Sequence, residues 1–537
     1  MRCPPEGCNI HFVASRPHKP TPLRRATERT HLPKAHSPSP SATPGIASTG
    51  IAGLDDVLSG GLPTRHLFLV EGSPGTGKTT LALQFLLEGR AQGERGLYVT
   101  LSETAQELAQ VAQSHGWSLE GIEIFDLLSD EGLSEEAEQT ILHPSEVELG
   151  ETTREVMRLV DELRPDRVAF DSLSELRLLA QSPLRYRRQI LALKRFFAQI
   201  GCTVLMLDDK TSGEGDQQLH SIAHGVIHLN QNSNTYGPDK RQLRVVKLRG
   251  IKFRSGDHDF NLDRGGLEVF PRLSAGEHGG RFDHAPVSTG MPAFDEMLGG
   301  GLSPGSNLLL AGPAGVGKTT TATSCAVAAM RRGERVAFYL FDEGLHSLRQ
   351  RSRCLGLDID PFIASGQLLI RSFDPAEVSP GQFAQAVRDA VETDRVGMVV
   401  LDSLNSYMQA MPGGQYLLLQ MHELLAYLNL KGAVTLIILS LHGTVGEMKS
   451  DIDLSYLSDA MVQYRFFEAR GEVLKAISVI KSRTMEHQTS IREFRLGARG
   501  IEIGKPLSDF HGILVGAARY TGHQPLLGDG DTDQPGS

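Results

Sequence analysis

The sequence lacks the features that mark membrane, fibrous and disulfide-stabilised proteins. No apolar run approaches the roughly 18 residues of a membrane-spanning helix, and a long one, residues 433–441, has the length of a buried strand. The 57 glycines follow no collagen period. The five cysteines are scattered, and their one close pair, Cys3 and Cys8, has no second pair to complete a zinc site. These absences predict a cytoplasmic protein without membrane contact or a disulfide framework.

Excess positive charge is also missing. The chain has 54 Lys and Arg against 64 Asp and Glu, a net charge of −10 at pH 7. This balance argues against a protein that coats nucleic acid by bulk charge, so nucleic acid is not an expected partner. What the chain does have is apolar mass: hydrophobic residues make up 40% of its 537 residues, enough for more than one buried core.

Residues 1–45 differ in composition from the rest of the chain. They hold seven basic residues against two acidic ones, with recurring prolines and no periodic apolar pattern. This composition is typical of disordered segments, and it contains no continuous apolar stretch of a secretory signal. We therefore expect a disordered, basic, proline-rich tail.

The remainder of the chain repeats itself. The segment STGIAGLD at Ser48 corresponds to STGMPAFD at Ser288, and a Gly-Gly-Leu turn follows each. Glycine-rich loops and strand-like runs then recur in the same order, with a period of 240 residues between their lysines. This period is too long for a solenoid and indicates tandem domains. The predicted boundaries are 46–274 and 287–522 for the domains, 275–286 for the linker and 523–537 for a flexible tail.

Both repeats show the same alternation of short apolar runs and helical patterns. A strand-like run enters a glycine-rich loop, a helical pattern follows, and another strand-like run comes after it. These segments are 67–71, 78–92 and 96–101 in the first repeat, and 307–311, 318–332 and 336–341 in the second. Alternation of this kind indicates βαβ units. The predicted fold class is α/β, with two tandem P-loop domains, each a mostly parallel sheet flanked by helices.

Two glycine-rich loops match the phosphate-binding pattern G-x-x-x-x-G-K-[ST]. Loops of this kind surround phosphates with backbone N–H groups, and the following helix N-terminus adds partial positive charge. Lys78 and Lys318 are placed to reach the β- and γ-phosphates, and Thr79 and Thr319 carry hydroxyls suited to Mg²⁺. ATP and Mg²⁺ are the predicted ligands. The predicted nucleotide-binding residues are Gly72, Ser73, Pro74, Gly75, Thr76, Gly77, Lys78, Thr79, Thr80, Gly312, Pro313, Ala314, Gly315, Val316, Gly317, Lys318, Thr319 and Thr320.

Carboxylates follow the strand-like runs at two further positions. Asp171 and Asp402 end short hydrophobic runs, which is the position of the second Mg²⁺-side group in P-loop enzymes. Hydrolysis also requires a group that orients or deprotonates water. The acids past the strand that follows each P-loop helix suit this role, namely Glu103 in the first domain and Asp342 and Glu343 in the second.

Two basic pairs occupy corresponding places late in each repeat. Lys247 with Arg249, and Lys481 with Arg483, lie in alternating, strand-like segments, so each pair shares one strand face. Each nucleotide site already has its own lysine. The pairs are therefore predicted to reach the γ-phosphate of a neighbouring subunit in a ring, as an arginine finger does.

At these residues, the sequence resembles those of the KaiC family, within the RecA/RadA/DnaB class of ring ATPases. The resemblance covers about residues 46–520. It rests on the STG…GGL segments, the paired P-loops, the strand-end Asp-Ser pairs, the KLRG segment at Lys247 and the IREF segment at Ile491. It implies RecA-like domains, a homohexamer with ATP at its subunit interfaces, and slow ATP hydrolysis coupled to Ser/Thr autophosphorylation.

The chain departs from the family pattern at its acidic pairs and at its phosphoacceptors, and the second basic motif, Lys481-Ser482-Arg483-Thr484, lacks the glycine of the first. The family's Glu-Glu pair is Ser102-Glu103 in the first domain and Asp342-Glu343 in the second. The family's adjacent Ser-Thr phosphoacceptors fall at Ser455-Tyr456, which keeps the serine alone. Ser455 and Ser458 are the remaining candidate acceptors.

Three functions stay open at this point. The first is a KaiC-like ATPase and autokinase that acts as a signalling or timing switch read by regulatory proteins. The second is a DNA-dependent recombinase or helicase-type ATPase, in which residues 208–218 face DNA, although they hold one Lys against four acids. The third is a nucleotide-gated scaffold with little turnover, which Ser102 favours in the first domain.

Overall fold

The computed structural model describes residues 45–126, 144–180, 182–210, 217–233, 237–274, 276, 279–410, 414–443, 455–469, 471–497, 500–515 and 518–521. The predicted tails at 1–45 and 523–537 lie outside these ranges, except for Gly45. Among the helices within them, none has the length and apolarity needed to cross a membrane.

The first repeat folds into strands and helices that alternate along most of its length. Its strands are β1 (Ile46–Ala47), β2 (Leu62–Pro63), β3 (Leu67–Gly72), β4 (Gly96–Thr100), β5 (Ile122–Asp126), β6 (Arg167–Asp171), β7 (Thr203–Asp209), β8 (Gly225–Asn232), β9 (Lys240–Leu248), β10 (Asp257–Asp263) and β11 (Gly266–Phe270). Its helices are α1 (Ala52–Val57), α2 (Lys78–Ala91), α3 (Ala105–Ser114), α4 (Pro144–Leu163), α5 (Leu173–Ala180), α6 (Pro183–Ile200) and α7 (Gln217–Ile222).

The second repeat has a matching set of elements. Its helices are α8 (Pro292–Met297), α9 (Lys318–Arg331), α10 (Leu345–Cys354), α11 (Asp360–Ala364), α12 (Pro380–Glu392), α13 (Leu404–Ala410) and α14 (Gly414–Leu430). Its strands are β12 (Asn307–Gly312), β13 (Val336–Leu340), β14 (Leu368–Ser372), β15 (Met398–Asp402), β16 (Val434–Ser440), β17 (Ala460–Ala469), β18 (Glu472–Ser482), β19 (Arg492–Gly497), β20 (Gly500–Pro506), β21 (Phe510–His511) and β22 (Arg519–Tyr520).

Both repeats form a nine-stranded sheet with the same strand order. The first order is β11-β10-β9-β8-β3-β7-β6-β4-β5, and the second is β20-β19-β18-β17-β12-β16-β15-β13-β14. The six strands from β8 to β5 run parallel, whereas β9, β10 and β11 add antiparallel pairs at one edge. The predicted fold class, two tandem α/β domains with mostly parallel sheets, is confirmed.

Helices cover both faces of each sheet, so the central strands are buried on two sides. In β3, Phe68 and Val70 belong to one apolar core, which α2 completes, while Leu67 and Leu69 belong to the opposite core, together with Phe197 of α6. A strand that is buried on both faces has a continuous apolar run instead of an alternating one. This explains the continuous apolar runs Leu67–Val70 and Leu308–Ala311 before the two P-loops.

Capping residues set several helix boundaries. Thr104 begins α3 with a capping box, in which its side chain accepts from the backbone of Glu107 and the Glu107 carboxylate accepts from the backbone of Thr104. Ser182 caps α6 ahead of a proline, and Gly201 ends that helix in the left-handed conformation with φ of 93°.

The two tandem domains contact each other at the start of α12. Asp259 Oδ2 of β10 accepts a hydrogen bond of 2.8 Å from the backbone N–H of Gly381. A Cβ atom at Gly381 would lie 2.9 Å from that oxygen, so glycine permits the close approach. Burial at this contact raises the pKa of Asp259.

Candidate active sites

Each glycine-rich loop connects the central strand of its sheet to a helix, β3 to α2 and β12 to α9. Gly75 and Gly77 have φ of 80° and 97°, and Gly315 and Gly317 have φ of 75° and 119°. These left-handed conformations favour glycine, because a side chain would be strained there. The backbone thus forms the kind of cradle in which N–H groups surround phosphates.

Lys78 extends back across the first loop. Its Nζ donates to the carbonyl oxygens of Gly72 at 2.9 Å and Ser73 at 3.0 Å. The same atom forms an ion pair of 2.6 Å with Asp209 Oδ1 at the end of β7. Lys78 is only 7% exposed, so the ammonium group lies inside the loop.

Lys318 occupies the corresponding place in the second loop but has different partners. Its Nζ donates to the carbonyl oxygens of Gly312 and Pro313, both at 2.8 Å. Burial lowers the pKa of Lys318 to about 8, and the negative charge of Asp402 partly opposes this shift.

Asp171 ends β6 and accepts two hydroxyl hydrogen bonds. Thr79 Oγ1 lies 3.2 Å from Asp171 Oδ2, and Tyr98 Oη lies 2.6 Å from the same oxygen. Burial raises the pKa of Asp171, although both hydrogen bonds favour its ionised form. The structure thus brings together the P-loop threonine and the strand-end aspartate that the sequence assigns to Mg²⁺.

Asp402 ends β15 in the same way but has fewer partners. The Thr319 side chain hydrogen-bonds its carboxylate, while burial raises the pKa of Asp402 to about 6. Its Oδ2 atom is buried without a hydrogen-bond partner in the part of the chain that the structure describes. By strand register, Phe338 stands where Tyr98 stands in the first domain, so no phenol donates here.

Glu103 lies just past β4, and two hydrogen bonds between its backbone and the Thr100 hydroxyl fix its position. Thr100 Oγ1 donates to the Glu103 carbonyl at 2.6 Å and accepts from its N–H at 3.0 Å. Its carboxylate is partly buried, and Oε2 has no hydrogen-bond partner among the described residues. Burial, followed by the charge of Asp171, raises the pKa of Glu103. This oxygen is also buried, so it is an acceptor whose hydrogen bond remains to be made.

The acids of the second domain are both engaged. Asp342 accepts hydrogen bonds from the hydroxyls of Ser403 and Ser406. Glu343 forms an ion pair of 2.7 Å with Arg351 of α10. The two domains therefore differ at the positions assigned to water activation, since Glu103 has an unpaired oxygen and Glu343 has an arginine partner.

The two predicted basic pairs lie at the opposite end of the central strands from their own P-loops. In the first domain, Leu248 pairs with Gly225, which pairs with Phe68, four residues before Gly72. At 3.3 Å per residue, four residues span about 13 Å. In the second domain, Ser482 pairs with Ala460 in the same register, so the second basic pair is equally far from its own P-loop.

Lys247 and Arg249 contact the end of helix α7. Lys247 Nζ donates to the carbonyl oxygens of His220 and, at 2.8 Å, Ala223. Arg249 Nη2 donates to the Ser221 carbonyl at 2.9 Å. The last carbonyl groups of a helix lack hydrogen-bond donors within the helix, and these two cations donate to them.

Lys481 and Arg483 make the equivalent contacts in the second domain. Lys481 Nζ donates to the Ser458 carbonyl at 2.7 Å, and Arg483 Nη2 donates to the Tyr456 carbonyl at 3.2 Å. Both carbonyls lie in or directly after the short 3₁₀ turn Ser455–Leu457. The Ser458 side chain is fully buried, whereas the Ser455 side chain lies outside the described residues.

The acidic segment at 208–218 begins inside the sheet. Asp208 and Asp209 are the last residues of β7, where Asp208 pairs with Arg177 at 2.6 Å and Asp209 with Lys78. Residues 211–216 lie outside the described ranges. The sequence analysis placed Asp209 among the DNA-facing residues of the recombinase alternative and did not predict it as a neighbour of the P-loop. Like Asp171, it ends an apolar run, and that pattern predicts a carboxylate at the end of a strand.

Two mostly parallel sheets, each with a P-loop lysine beside a strand-end aspartate, define a tandem P-loop ATPase. The family described as "ATPase: KaiC" matches residues 47–274 and 287–508. The chain is 27% identical over 503 residues to "Circadian clock oscillator protein KaiC" of Thermostichus vulcanus, covering 91% of this chain and 95% of that protein. It is 25% identical over 479 residues to "Circadian clock protein KaiC3" of Synechocystis sp., covering 88% and 94%. The chain belongs to the KaiC family of ATPases, which confirms the resemblance and an ATP-binding function.

Proposed function

We propose that both domains hydrolyse ATP at the subunit interfaces of a homohexamer, and that the nucleotide state acts as a signalling or timing switch. The observation that carries this proposal occurs twice: a P-loop lysine held within its loop, with a threonine hydroxyl on the aspartate of a neighbouring strand. The relatives named above are circadian clock proteins by name, which is what suggests a timing role here.

The Mg²⁺ of the ATP complex fits the residues present. Thr79 with Asp171 and Thr319 with Asp402 would hold it, because hydroxyl and carboxylate oxygens are the ligands this ion prefers. The partnerless Oδ2 of Asp402 is a buried acceptor that a cation would satisfy. When bound, Mg²⁺ supplies positive charge that offsets the charge on the phosphate oxygens during transfer.

Water activation is assigned to Glu103 in the first domain. Its carboxylate has an unpaired oxygen, and its raised pKa makes it a better proton acceptor than an ordinary glutamate. In the second domain, Asp342 and Glu343 share the role, but Arg351 and two serine hydroxyls hold these carboxylates. We therefore expect faster hydrolysis in the first domain.

The basic pairs serve the neighbouring subunit. Lys247 and Arg249 lie about 13 Å along the sheet from their own P-loop, so they are remote from the phosphates of their own site. In a ring, the surface that carries Lys247 and Arg249 would pack against the P-loop of the next subunit, so both cations would contact the γ-phosphate bound there. Lys481 and Arg483 would do the same in the second tier.

Autophosphorylation is assigned to the second domain. The turn that contains Ser455 lies beside Lys481 and Arg483, the cations assigned to the neighbour's γ-phosphate. In the proposed ring, this turn would lie near the same neighbouring nucleotide. Ser458 is fully buried, so its modification would require the turn to open. Ser455 is therefore the favoured acceptor and Ser458 the second.

The test is to remove each P-loop lysine in the full chain. Lys78→Ala and Lys318→Ala should each abolish nucleotide binding in their own domain, and the double variant should lose ATP turnover. Lys505→Ala, at an exposed position on β20, is the matched control and should retain wild-type turnover. Wild-type turnover in the double variant would overturn the proposal.

A further inference from the structure

The two P-loop lysines differ in one partner. Lys78 pairs with the Asp209 carboxylate at 2.6 Å, in addition to two loop carbonyls. The described contacts of Lys318 are with its two loop carbonyls alone. Strand register explains the difference, because Gly72 pairs with Asp209 in the first sheet and Gly312 pairs with Ser440 in the second. One site has a carboxylate at this position, and the other has a hydroxyl.

The backbone of Asp209 is fixed beside the loop while its side chain remains accessible. Its N–H donates to Ser174 Oγ at 3.1 Å, and the next N–H, of Lys210, donates to the Gly72 carbonyl at 3.2 Å. The Asp209 side chain is 30% exposed, against 7% for Lys78. A side-chain rotation can therefore release Lys78 without moving the strand.

We infer that Asp209 is a counterion that Lys78 exchanges for the γ-phosphate of ATP, so that the first site discriminates against ATP relative to ADP more than the second site does. This inference rests on the proposed function, in which Lys78 binds the terminal phosphates. ADP has no γ-phosphate, so Lys78 contacts the β-phosphate while it keeps its carboxylate partner.

The sign of the effect follows from electrostatics. ATP must break the ion pair and then leaves a carboxylate next to the γ-phosphate, where two negative charges repel each other. ADP incurs neither cost to the same extent. Replacing the carboxylate by a neutral group should therefore tighten ATP binding at the first site and change ADP binding less. Lys78 retains its bonds to Gly72 and Ser73 in the absence of Asp209.

The experiment titrates ATP and ADP into the full-length Lys318→Ala protein, which leaves the first site as the one that binds. Asp209→Asn and Asp209→Ser should each raise the ratio of ATP to ADP affinity by roughly fivefold, the effect expected for a partly exposed ion pair. Asp161→Asn is the charge-matched control, because Asp161 pairs with Arg164 on the surface of α4, and its ratio should equal that of the parent. Thermal unfolding identifies any variant that fails to fold.

The reciprocal variant tests the same idea in the second site. Ser440→Asp in a Lys78→Ala background should lower the ratio of ATP to ADP affinity there by a similar factor. An unchanged or lowered ratio in both folded Asp209 variants would overturn the inference. It would leave the proposed function intact as long as Lys78→Ala still abolishes binding at the first site. Binding that survives in the Lys78→Ala, Lys318→Ala double variant would instead refute the proposed function.

Discussion

Tyr98 Oη donates a hydrogen bond of 2.6 Å to Asp171 Oδ2, and the corresponding residue of the second domain, Phe338, has no hydroxyl. The first strand-end aspartate is thus satisfied by protein groups, whereas Oδ2 of Asp402 has no partner among the described residues. A buried acceptor without a donor is costly, so the two sites differ in stability and in proton affinity even before nucleotide binds.

Exchanging this hydroxyl between the domains should shift stability in opposite directions. Tyr98→Phe removes a buried donor and should lower the free energy of unfolding by about 1–3 kcal/mol. Phe338→Tyr supplies a donor to Asp402 and should raise the thermal midpoint of the second domain, provided that the core accommodates the added oxygen. Calorimetry of both variants without nucleotide measures these shifts, and equal midpoints for Tyr98→Phe and wild type would contradict the assignment.

Mg²⁺ binding by the second domain should weaken in acid. Burial raises the pKa of Asp402 to about 6, and a metal ligand must lose its proton before it binds the ion. In the Lys78→Ala variant, the Mg²⁺ concentration needed for half-maximal ATP binding should therefore rise as the pH falls below about 6. The control is Phe338→Tyr in that background, which should move this transition to lower pH. An Mg²⁺ requirement that stays constant down to pH of about 5 would contradict the role of Asp402.

The stability of the second domain should have the opposite pH dependence. An unfolded aspartate titrates near its ordinary value of 3.8, whereas the folded Asp402 titrates near 6. The folded state therefore binds more protons in this window. Its free energy of unfolding should fall as pH rises from about 4 to about 6. Urea unfolding without nucleotide at several pH values measures the slope, and Asp402→Asn, which does not titrate, should lose that contribution.

Glu103 should control turnover without controlling binding. In a Lys318→Ala background, Glu103→Gln should lower ATP hydrolysis by roughly 10²–10⁴-fold, because the amide cannot accept a proton. ATP affinity should change little. Phosphate release measures turnover, and a fluorescent nucleotide measures binding. Asp161→Asn, which removes the ion pair with Arg164 on the surface, is the control for charge and folding. Turnover retained by Glu103→Gln would exclude the residue as the base.

The basic pairs should act across subunits. With ATP and Mg²⁺, light scattering should give the mass of a hexamer, and Lys247→Ala with Arg249→Ala should abolish turnover in the first tier but leave ATP binding intact. Mixing this variant with Lys78→Ala subunits should restore part of the activity, because some interfaces then combine an intact P-loop with an intact basic pair. Failure of the mixture to exceed its separate components, or a monomer at saturating ATP, would refute the trans role.

The γ-phosphate of ATP should be transferred to a serine in the turn beside Lys481 and Arg483. After long incubation with γ-labelled ATP, mass spectrometry should locate phosphoserine at Ser455. Ser455→Ala should remove the label, whereas Ser458→Ala should retain it because that side chain is fully buried. Absence of phosphoserine from both positions would leave an ATPase without autokinase activity.

Features that depend on local spacing are predictable from the sequence. The P-loops and strand-end aspartates are recognisable because the tight turn between a strand and a helix requires glycine, and phosphate binding requires a lysine at a fixed offset from it. The duplication and the α/β class follow from the order of such segments, and the structure agrees with both.

The partners of those residues follow from strand order and are not predictable from local spacing. Asp209 meets Lys78 across 131 positions of sequence, and Tyr98 meets Asp171 across 73. In a parallel sheet, each crossover brings the chain back to the end of the sheet where strands begin. The carboxyl ends of strands that are distant in sequence therefore become neighbours. Which ends adjoin depends on strand order, and that order is set by how the helices and strands pack, which no spacing in the sequence records.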